Sequence, residues 1–155
     1  MLSLHDRNTY ILLVIKENME KKRKILYIED MKKCYENTCK AMGETFEIDW
    51  KNNYSDAFDA ITRNIGEYSA AVFDVNLDYN PNLPDNEQTA EGLNLIRMFK
   101  REAERQEINI PIICASGNGK LYEKLSLEAG ANKFLWKKEF WEKGKGVLED
   151  LIKKV

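Results

Sequence analysis

The sequence contains few of the residues from which zinc sites and disulfide frameworks are built. His5 is the only histidine, and the three cysteines are Cys34, Cys39 and Cys114. Cys34 and Cys39 are too far apart for a Cys-x-x-Cys motif, so a zinc site has few candidate ligands. An odd cysteine count without a secretory signal predicts free, partly buried thiols and a cytoplasmic protein.

Long apolar runs and an excess of one charge are also missing. The longest apolar run, Tyr10–Ile15, is far shorter than the roughly 20 residues that span a bilayer. The formal net charge is -2, and the basic run Lys21–Lys24 is short and isolated, which favours a solvated segment. We therefore expect no membrane partner and no direct nucleic-acid partner.

The sequence does contain a regular alternation of short apolar runs and amphipathic stretches from Lys24 onward. The runs predict strands at Lys24–Ile28, Phe46–Trp50, Ala70–Phe73, Ile110–Cys114 and Lys133–Trp136. The amphipathic stretches predict helices at Met31–Met42, Ser55–Ile65, Glu91–Arg105, Leu121–Ala129 and Phe140–Ile152. The polar stretch Leu77–Thr89 contains two prolines and predicts a loop.

Five strand–helix units in succession predict an α/β fold with a doubly wound parallel sheet. The expected arrangement is flavodoxin-like, with five strands in the order 2-1-3-4-5. The alternating pattern of Phe46–Trp50 places that strand near an edge. In this architecture function lies at the carboxyl ends of the strands, so the residues that end each strand deserve inspection.

The first 23 residues fall outside this pattern, so the predicted domain covers residues 24–155 and residues 1–23 form an extension. Met19 could be the true start of translation. Alternatively, Thr9–Ile15 forms an extra strand or helix that packs on the domain or on a second copy, which leaves a homodimer open.

Three carboxylates end two strands that the fold makes neighbours. Glu29 and Asp30 follow the first strand and Asp74 follows the third. Like charges at close range repel and raise one another's pKa, and a hard cation such as Mg²⁺ relieves the repulsion. The alternative is that Glu29 and Asp30 merely cap the first predicted helix.

Two further polar residues follow the remaining strands. Ser116 lies just after the fourth strand, and Lys137 follows the fifth. Either residue alone is unremarkable in a turn or on a surface. Together with the three carboxylates, however, they provide a hydroxyl and a point charge that could both meet a phosphoryl group.

This ordered set resembles the receiver domain of response regulators in two-component signalling. The segments that carry the resemblance are Ile25–Asp30, Ala71–Leu77, Gly92–Arg97, Pro111–Gly117 and Gly130–Lys137. The resemblance covers most of the chain from Lys24 onward and implies phosphorelay signal transduction rather than an enzyme. Its partners would be a sensor histidine kinase or phosphotransfer protein and a downstream protein.

The resemblance also implies roles for individual residues. Asp74 would be the phosphoacceptor. Asp30 and Asp74 would bind Mg²⁺ directly, Glu29 would act through water, and the backbone carbonyl of Asn76 would supply another ligand.

The same resemblance assigns the phosphoryl-binding and switch residues. Ser116 would hydrogen-bond the phosphoryl group, Lys137 would offset its charge, and Phe134 would be the switch aromatic. The responding surface would be the fourth and fifth predicted helices with the fifth strand between them. Because no output domain follows, the protein is expected to act alone, through protein–protein contacts.

Two departures from the family pattern favour a different function, that of a pseudo-receiver that binds a protein but takes no phosphate. Lys138 replaces the usual proline, and we expect a trans peptide bond before it, because a non-proline cis bond costs about 2.5–4 kcal/mol. The loop between Asn76 and Gly92 is longer than usual. Its acidic residues are Asp78, Asp85, Glu87 and Glu91. They form either a solvated acidic loop or a lid or partner contact beside the phosphorylation site.

Other functions on similar folds fit less well. A phosphatase that uses Asp74 as nucleophile needs a second acid nearby, and Asn76 is a poor proton donor. The segment Gly117–Lys120 is not a P-loop, because Cys114 and Leu121 occupy positions that require Gly and Ser or Thr.

Overall fold

A computed structural model describes the chain except residues 2, 79, 85, 86 and 118, and except the side chains of residues 18–20 and 120. Asp85, one of the acidic loop residues, therefore lies outside the described residues. The helices are α1 (Leu4–Glu20), α2 (Lys32–Met42), α3 (Tyr54–Asn64), α4 (Glu91–Arg105), α5 (Gly119–Ala129) and α6 (Lys137–Lys153). The strands are β1 (Arg23–Ile28), β2 (Phe46–Lys51), β3 (Ala70–Phe73), β4 (Ile112–Ser116) and β5 (Lys133–Trp136).

The five strands form one parallel sheet in the order β2-β1-β3-β4-β5. The predicted flavodoxin-like topology is confirmed, and β2 is an edge strand as expected. The register aligns one row of residues across four strands, namely Ile28, Phe73, Cys114 and Phe134. Strands β1 and β3 end at this row, so Glu29 and Asp74 emerge side by side.

Alternating side chains of the strands supply two hydrophobic cores, one on each face of the sheet. In β1, Leu26 and Ile28 point to the core beneath α3, α4 and α5. Ile25 and Tyr27 point to the opposite core, beneath α2 and α6. All four are buried, which is the pattern of a central strand in a sheet covered on both faces.

The predicted fourth strand was wrong in its bounds by two residues, because it runs from Ile112 to Ser116. Pro111 lacks a backbone N–H and lies before the strand, although its carbonyl accepts a hydrogen bond from Ala71 N at 3.0 Å. At the other end the ladder continues to Ser116, which pairs with Trp136. Ser116 is thus the last residue of a strand and not part of the turn that follows.

The extension preceding β1 is a helix and not a strand. Ser3 caps α1 by accepting a hydrogen bond from Asp6 N, and the Asp6 carboxylate accepts one from Ser3 N in return. Every described side chain of α1 is exposed. Of the described helices, none is both long and apolar enough to cross a membrane.

The long segment between β3 and α4, residues 74–90, is organised by its own hydrogen bonds, and we call it the β3–α4 loop. Gln88 is buried and accepts a hydrogen bond from Asn80 N at 2.9 Å, while it donates one to Leu83 O at 3.0 Å. Thr89 Oγ1 donates to Leu77 O at 3.3 Å. These bonds close the loop upon itself near its two ends.

Gly92 is the residue that lets α4 begin against the end of β3. Its N–H donates to Val75 O at 2.9 Å. A Cβ at this position would lie 1.9 Å from Asp74 O and 2.7 Å from Val75 Cα. Both atoms belong to the backbone and cannot move aside without shifting Asp74.

We therefore expect Gly92→Ala to lower the free energy of unfolding by about 3 kcal/mol, because the added methyl group overpacks a backbone contact. Urea denaturation followed by circular dichroism measures the change. Gly66→Ala is the matched control, since nothing lies within 4 Å of a Cβ there, and it should change stability by no more than about 1 kcal/mol. Equal stability of the two variants would contradict the assigned contact.

Candidate functional site

Asp74 is fixed at the centre of the strand ends by the ladder it continues. Its N–H donates to Ile28 O at 2.8 Å, which extends the pairing of β1 and β3 by one residue. The residue is 4% exposed. A carboxylate so placed is held rigidly, and it is almost completely removed from water.

Glu29 lies beside Asp74 and is fully buried. Its Oε1 accepts a hydrogen bond from Met31 N at 3.1 Å, and its backbone carbonyl accepts one from Trp50 Nε1 at 2.6 Å. Met31, the residue preceding α2, makes no side-chain capping bond of its own. The Glu29 carboxylate therefore does serve the start of α2, as the capping alternative predicts, while its other oxygen faces Lys137.

Asp30 completes an acidic cluster with Glu29 and Asp74. One oxygen from each of the three carboxylates lies within 4.8 Å of the others. Asp30 is half-buried, and its Oδ2 accepts a hydrogen bond from Asp78 N at 3.0 Å. Asp78 has a φ of 62°, a left-handed conformation that Asp tolerates better than most residues. This bond ties the β3–α4 loop to the acidic cluster.

Lys137 brings a positive charge to the cluster from the first residue of α6. Its Nζ lies 2.9 Å from Glu29 Oε2 and 3.6 Å from Asp74 Oδ2. The peptide bond before Lys138 is trans, as expected from the missing proline. The trans bond does not prevent the lysine from reaching the two carboxylates.

One lysine does not neutralise three carboxylates, and the pKa values reflect this imbalance. Burial raises the pKa of Glu29 to about 8; the charge of Asp74 adds to the increase and Lys137 opposes it. Burial also raises the pKa of Asp74 to about 6, which Lys137 lowers and Asp30 raises. Burial disfavours the charged form of Lys137, yet Asp74 and Glu29 outweigh it and raise the pKa of the ammonium group.

The chemistry of this cluster fits a divalent cation. When all four groups are ionised, three carboxylates and one ammonium group leave two negative charges uncompensated. Within the described part of the chain, Glu29 Oε2 is buried and accepts no hydrogen bond of normal geometry. Its nearby charged partner is the ammonium group of Lys137. Clustered carboxylate oxygens are the ligands that Mg²⁺ prefers.

The other predicted site residues lie after β3, at the end of β4 and on β5. Asn76 is buried, and its Oδ1 accepts a hydrogen bond from Tyr122 Oη at 3.2 Å. Ser116 is buried and lies two positions beyond Cys114, the β4 residue opposite Phe73. Phe134 is half-buried on β5 and packs against the core beneath α3, α4 and α5.

The sequence analysis missed two aromatic residues that position the site. Trp50 stacks on Tyr35 at a centroid distance of 4.3 Å while its Nε1 holds the Glu29 carbonyl. Its place at the carboxyl end of β2, beside the end of β1, was a signal that could have identified it. Tyr122 carried no such signal, because only the packing of α5 brings it to Asn76.

Comparison with known proteins gave matches among solved structures alone. No protein-family model matches the chain, and no curated protein matches it in sequence. The chain is similar to a response regulator receiver domain protein (CheY-like) from Methanospirillum hungatei, with 20% identity, a TM-score of 0.61, and coverage of 87% of this chain and 100% of that one. The chain is also similar to a response regulator receiver domain protein from Clostridium thermocellum, with 19% identity and a TM-score of 0.66. That match covers 85% of this chain and 95% of the other.

A third similar structure contains ligands. The receiver domain of the histidine kinase CKI1 from Arabidopsis thaliana, complexed with Mg²⁺ and BeF₃⁻, is 16% identical, with a TM-score of 0.62 and coverage of 83% of this chain and 89% of that one. These comparisons show that the chain has the fold of CheY-like receiver domains, as the resemblance implied.

The raised pKa of Glu29 predicts how the stability of the metal-free protein depends on pH. Between pH 4.5 and about 8 an unfolded Glu29 loses its proton while the folded one retains it. The unfolded state then binds fewer protons, so stability falls as the pH rises. Compared with Glu29→Gln, the wild type should lose on the order of a few kcal/mol between pH 5 and pH 8 in urea denaturation with chelator.

Added Mg²⁺ should recover this loss in the wild type at pH 8, because a bound cation stabilises the ionised carboxylate. The control is Glu142→Gln, an exposed residue of α6, which should follow the wild type at every pH. If Glu29→Gln and the wild type changed in parallel from pH 5 to pH 8, Glu29 would not carry the buried charge.

Proposed function

We propose that this protein is a receiver that accepts a phosphoryl group on Asp74 from a histidine kinase or phosphotransfer protein and signals through protein–protein contacts. The observation that carries the proposal is the convergence of Glu29, Asp30, Asp74 and Lys137 at one edge of a receiver-type sheet. We propose further that it acts in the cytoplasm as a stand-alone regulator rather than as an enzyme.

Asp74 has the chemistry of a phosphoacceptor. A carboxylate oxygen attacks phosphorus, the bond between phosphorus and the imidazole nitrogen of the donor breaks, and the electron pair leaves with the imidazole. Phosphoryl transfer depends on positioning and on charge stabilisation more than on covalent help from the protein. The bond from Asp74 N to Ile28 O supplies the positioning, because it fixes the backbone of the nucleophile.

The acidic cluster would hold the Mg²⁺ that such transfer requires. Asp30 and Asp74 would bind it directly, Glu29 through water, and the backbone carbonyl of Asn76 would add a ligand. When bound, the ion neutralises charge on the carboxylates and on the phosphoryl oxygens. Because Glu29 and Asp30 are both anchored by backbone N–H donors, from Met31 and Asp78, their oxygens need little reorganisation.

The phosphorylated aspartate would be read by residues on the neighbouring strands. Lys137 would turn from Asp74 Oδ2 to the phosphoryl oxygens and offset their charge, and the Ser116 hydroxyl would donate a hydrogen bond to them. Phosphorylation adds roughly -1.5 to -2 of charge. Movement of Ser116 toward that charge would let Phe134, which is half-buried on β5, turn inward and alter the surface of α5, β5 and α6.

The alternative of a pseudo-receiver has one observation in its favour. Lys137 already pairs with both Glu29 and Asp74, so the pocket is partly neutralised by the chain itself. A protein that has lost phosphorylation could retain its fold through this ion pair. Phosphorylation experiments separate the two functions.

We expect acetyl phosphate with Mg²⁺ to add one acid-labile phosphoryl group to the wild type and none to Asp74→Ala, because Asp74 is the only nucleophile proposed. Intact-mass spectrometry measures the addition. Asp59→Ala, a change of an exposed aspartate on α3, should be phosphorylated like the wild type. Absence of modification in the wild type, with Mg²⁺ bound, would favour the pseudo-receiver.

Lys137→Met should separate ion binding from phosphoryl transfer. Removal of the competing ammonium group should tighten Mg²⁺ binding about three- to tenfold by isothermal titration, since two carboxylates lose their internal partner. The rate of phosphorylation should fall at least about tenfold, since the charge on the phosphoryl oxygens is no longer offset. Lys138→Met, at the adjacent exposed lysine, should change neither, and an unchanged rate in Lys137→Met would remove Lys137 from the mechanism.

A further inference from the structure

The helix α1 carries a cluster of exposed apolar side chains, Tyr10–Ile15, which we call the apolar block. Between 36% and 65% of each of these six residues is exposed, and Leu4 is 79% exposed. Successive residues of a helix turn by about 100°, so the block presents apolar side chains all round the helix. A helix that is apolar on every side is normally buried.

The apolar block is not covered by the rest of the domain, and it is too short to cross a bilayer. Its exposed surface is on the order of several hundred Å² per chain, the same order as the roughly 800 Å² that each partner contributes to a stable interface. Contiguous exposed apolar surface of this size marks an interaction site. The kind of partner can be inferred from the charges that flank the block.

Arg7 and Glu17 flank the apolar block symmetrically about Leu12, and both are exposed. A rise of 1.5 Å per residue separates each of them from Leu12 by about 7.5 Å. If a second copy of α1 lies antiparallel with the two Leu12 residues level, Arg7 of each chain comes level with Glu17 of the other. The same alignment brings the two apolar blocks into register.

We propose that α1 pairs antiparallel with α1 of a second copy of this chain. A parallel pair would set Arg7 beside Arg7 and Glu17 beside Glu17, which is repulsive, and it would align the two helix dipoles. The antiparallel pair replaces these repulsions with two ion pairs across the interface. The interface lies outside the acidic cluster, so pairing does not require phosphorylation.

The first test is the mass of the protein in solution. Sedimentation equilibrium should show a dimer in the micromolar range, with or without Asp74→Ala. Arg7 and Glu17 each lie five residues from Leu12, a turn of about 500°, so they face the side of α1 that carries Tyr10 and Val14 and not Leu12. Tyr10→Lys should therefore give a monomer, because a charge on that side cannot be desolvated. Leu127→Lys, which adds a lysine at a 44% exposed leucine of α5, should leave the dimer intact. Circular dichroism checks that both variants are folded.

The second test reads the orientation of the helices. Arg7→Glu alone and Glu17→Arg alone should each weaken dimerisation about tenfold at low salt, because each exchanges two ion pairs for two repulsions. The double variant Arg7→Glu/Glu17→Arg should recover the wild-type affinity. These residues are too far apart to interact within one helix, so recovery can arise only between chains.

Several outcomes would overturn the proposal. A monomer at all accessible concentrations would assign the apolar block to another partner. A dimer that survives Tyr10→Lys would place the interface elsewhere, and a double variant no tighter than the single ones would exclude the antiparallel alignment. Co-flotation of the wild type, but not of Tyr10→Lys, with phosphatidylglycerol vesicles as a monomer would assign the helix to a membrane surface.

Discussion

The clustering of two buried carboxylates and a half-buried third beside a single ammonium group is the constraint on which the rest of this structure depends. Glu29 and Asp74 are almost fully removed from water, and Lys137 lies 2.9 Å and 3.6 Å from them. In a nonpolar environment such an excess of negative charge is tolerated only if protons or a cation compensate it. The site therefore favours the arrival of positive charge, as protons or as a cation.

The sheet and the loops explain how the chain sustains this arrangement. The backbone N–H groups of Met31 and Asp78 donate to the carboxylates of Glu29 and Asp30, which follow β1. The N–H group of Asp74 donates to the carbonyl of Ile28 at the end of β1. The acidic residues are therefore anchored by the main chain and not only by side chains. On the other side of the site, Gly92 at the start of α4 lies close against the backbone of Asp74 and Val75. Each anchor comes from a different element, which links the integrity of the pocket to the packing of the whole domain.

Strand order, element identity and the acidic cluster could be predicted from the sequence because each depends on local patterns that repeat. Alternation and apolar runs mark the strands, and carboxylates at two strand ends must meet once the order is known. What failed depends on contacts between distant segments. The extent of β4 is set by its pairing with β5 up to Trp136, and Tyr122 reaches the site only through the packing of α5. The exposure of the α1 side chains likewise depends on how the helix is placed relative to the sheet, which its own sequence does not specify.

The hydrogen bonds that close the β3–α4 loop near its ends have a consequence for the evolution of this protein. The hydrogen bonds from Thr89 to Leu77 and from Gly92 to Val75 close the loop just beyond Asp74, and near the start of the loop Asp78 N bonds to Asp30. Doubling the length of a closed loop costs only about 0.6 kcal/mol. Descendants of this chain are thus free to lengthen, shorten or recode the far end of the loop, and so acquire different recognition partners, while the chemistry at the strand ends is inherited unchanged.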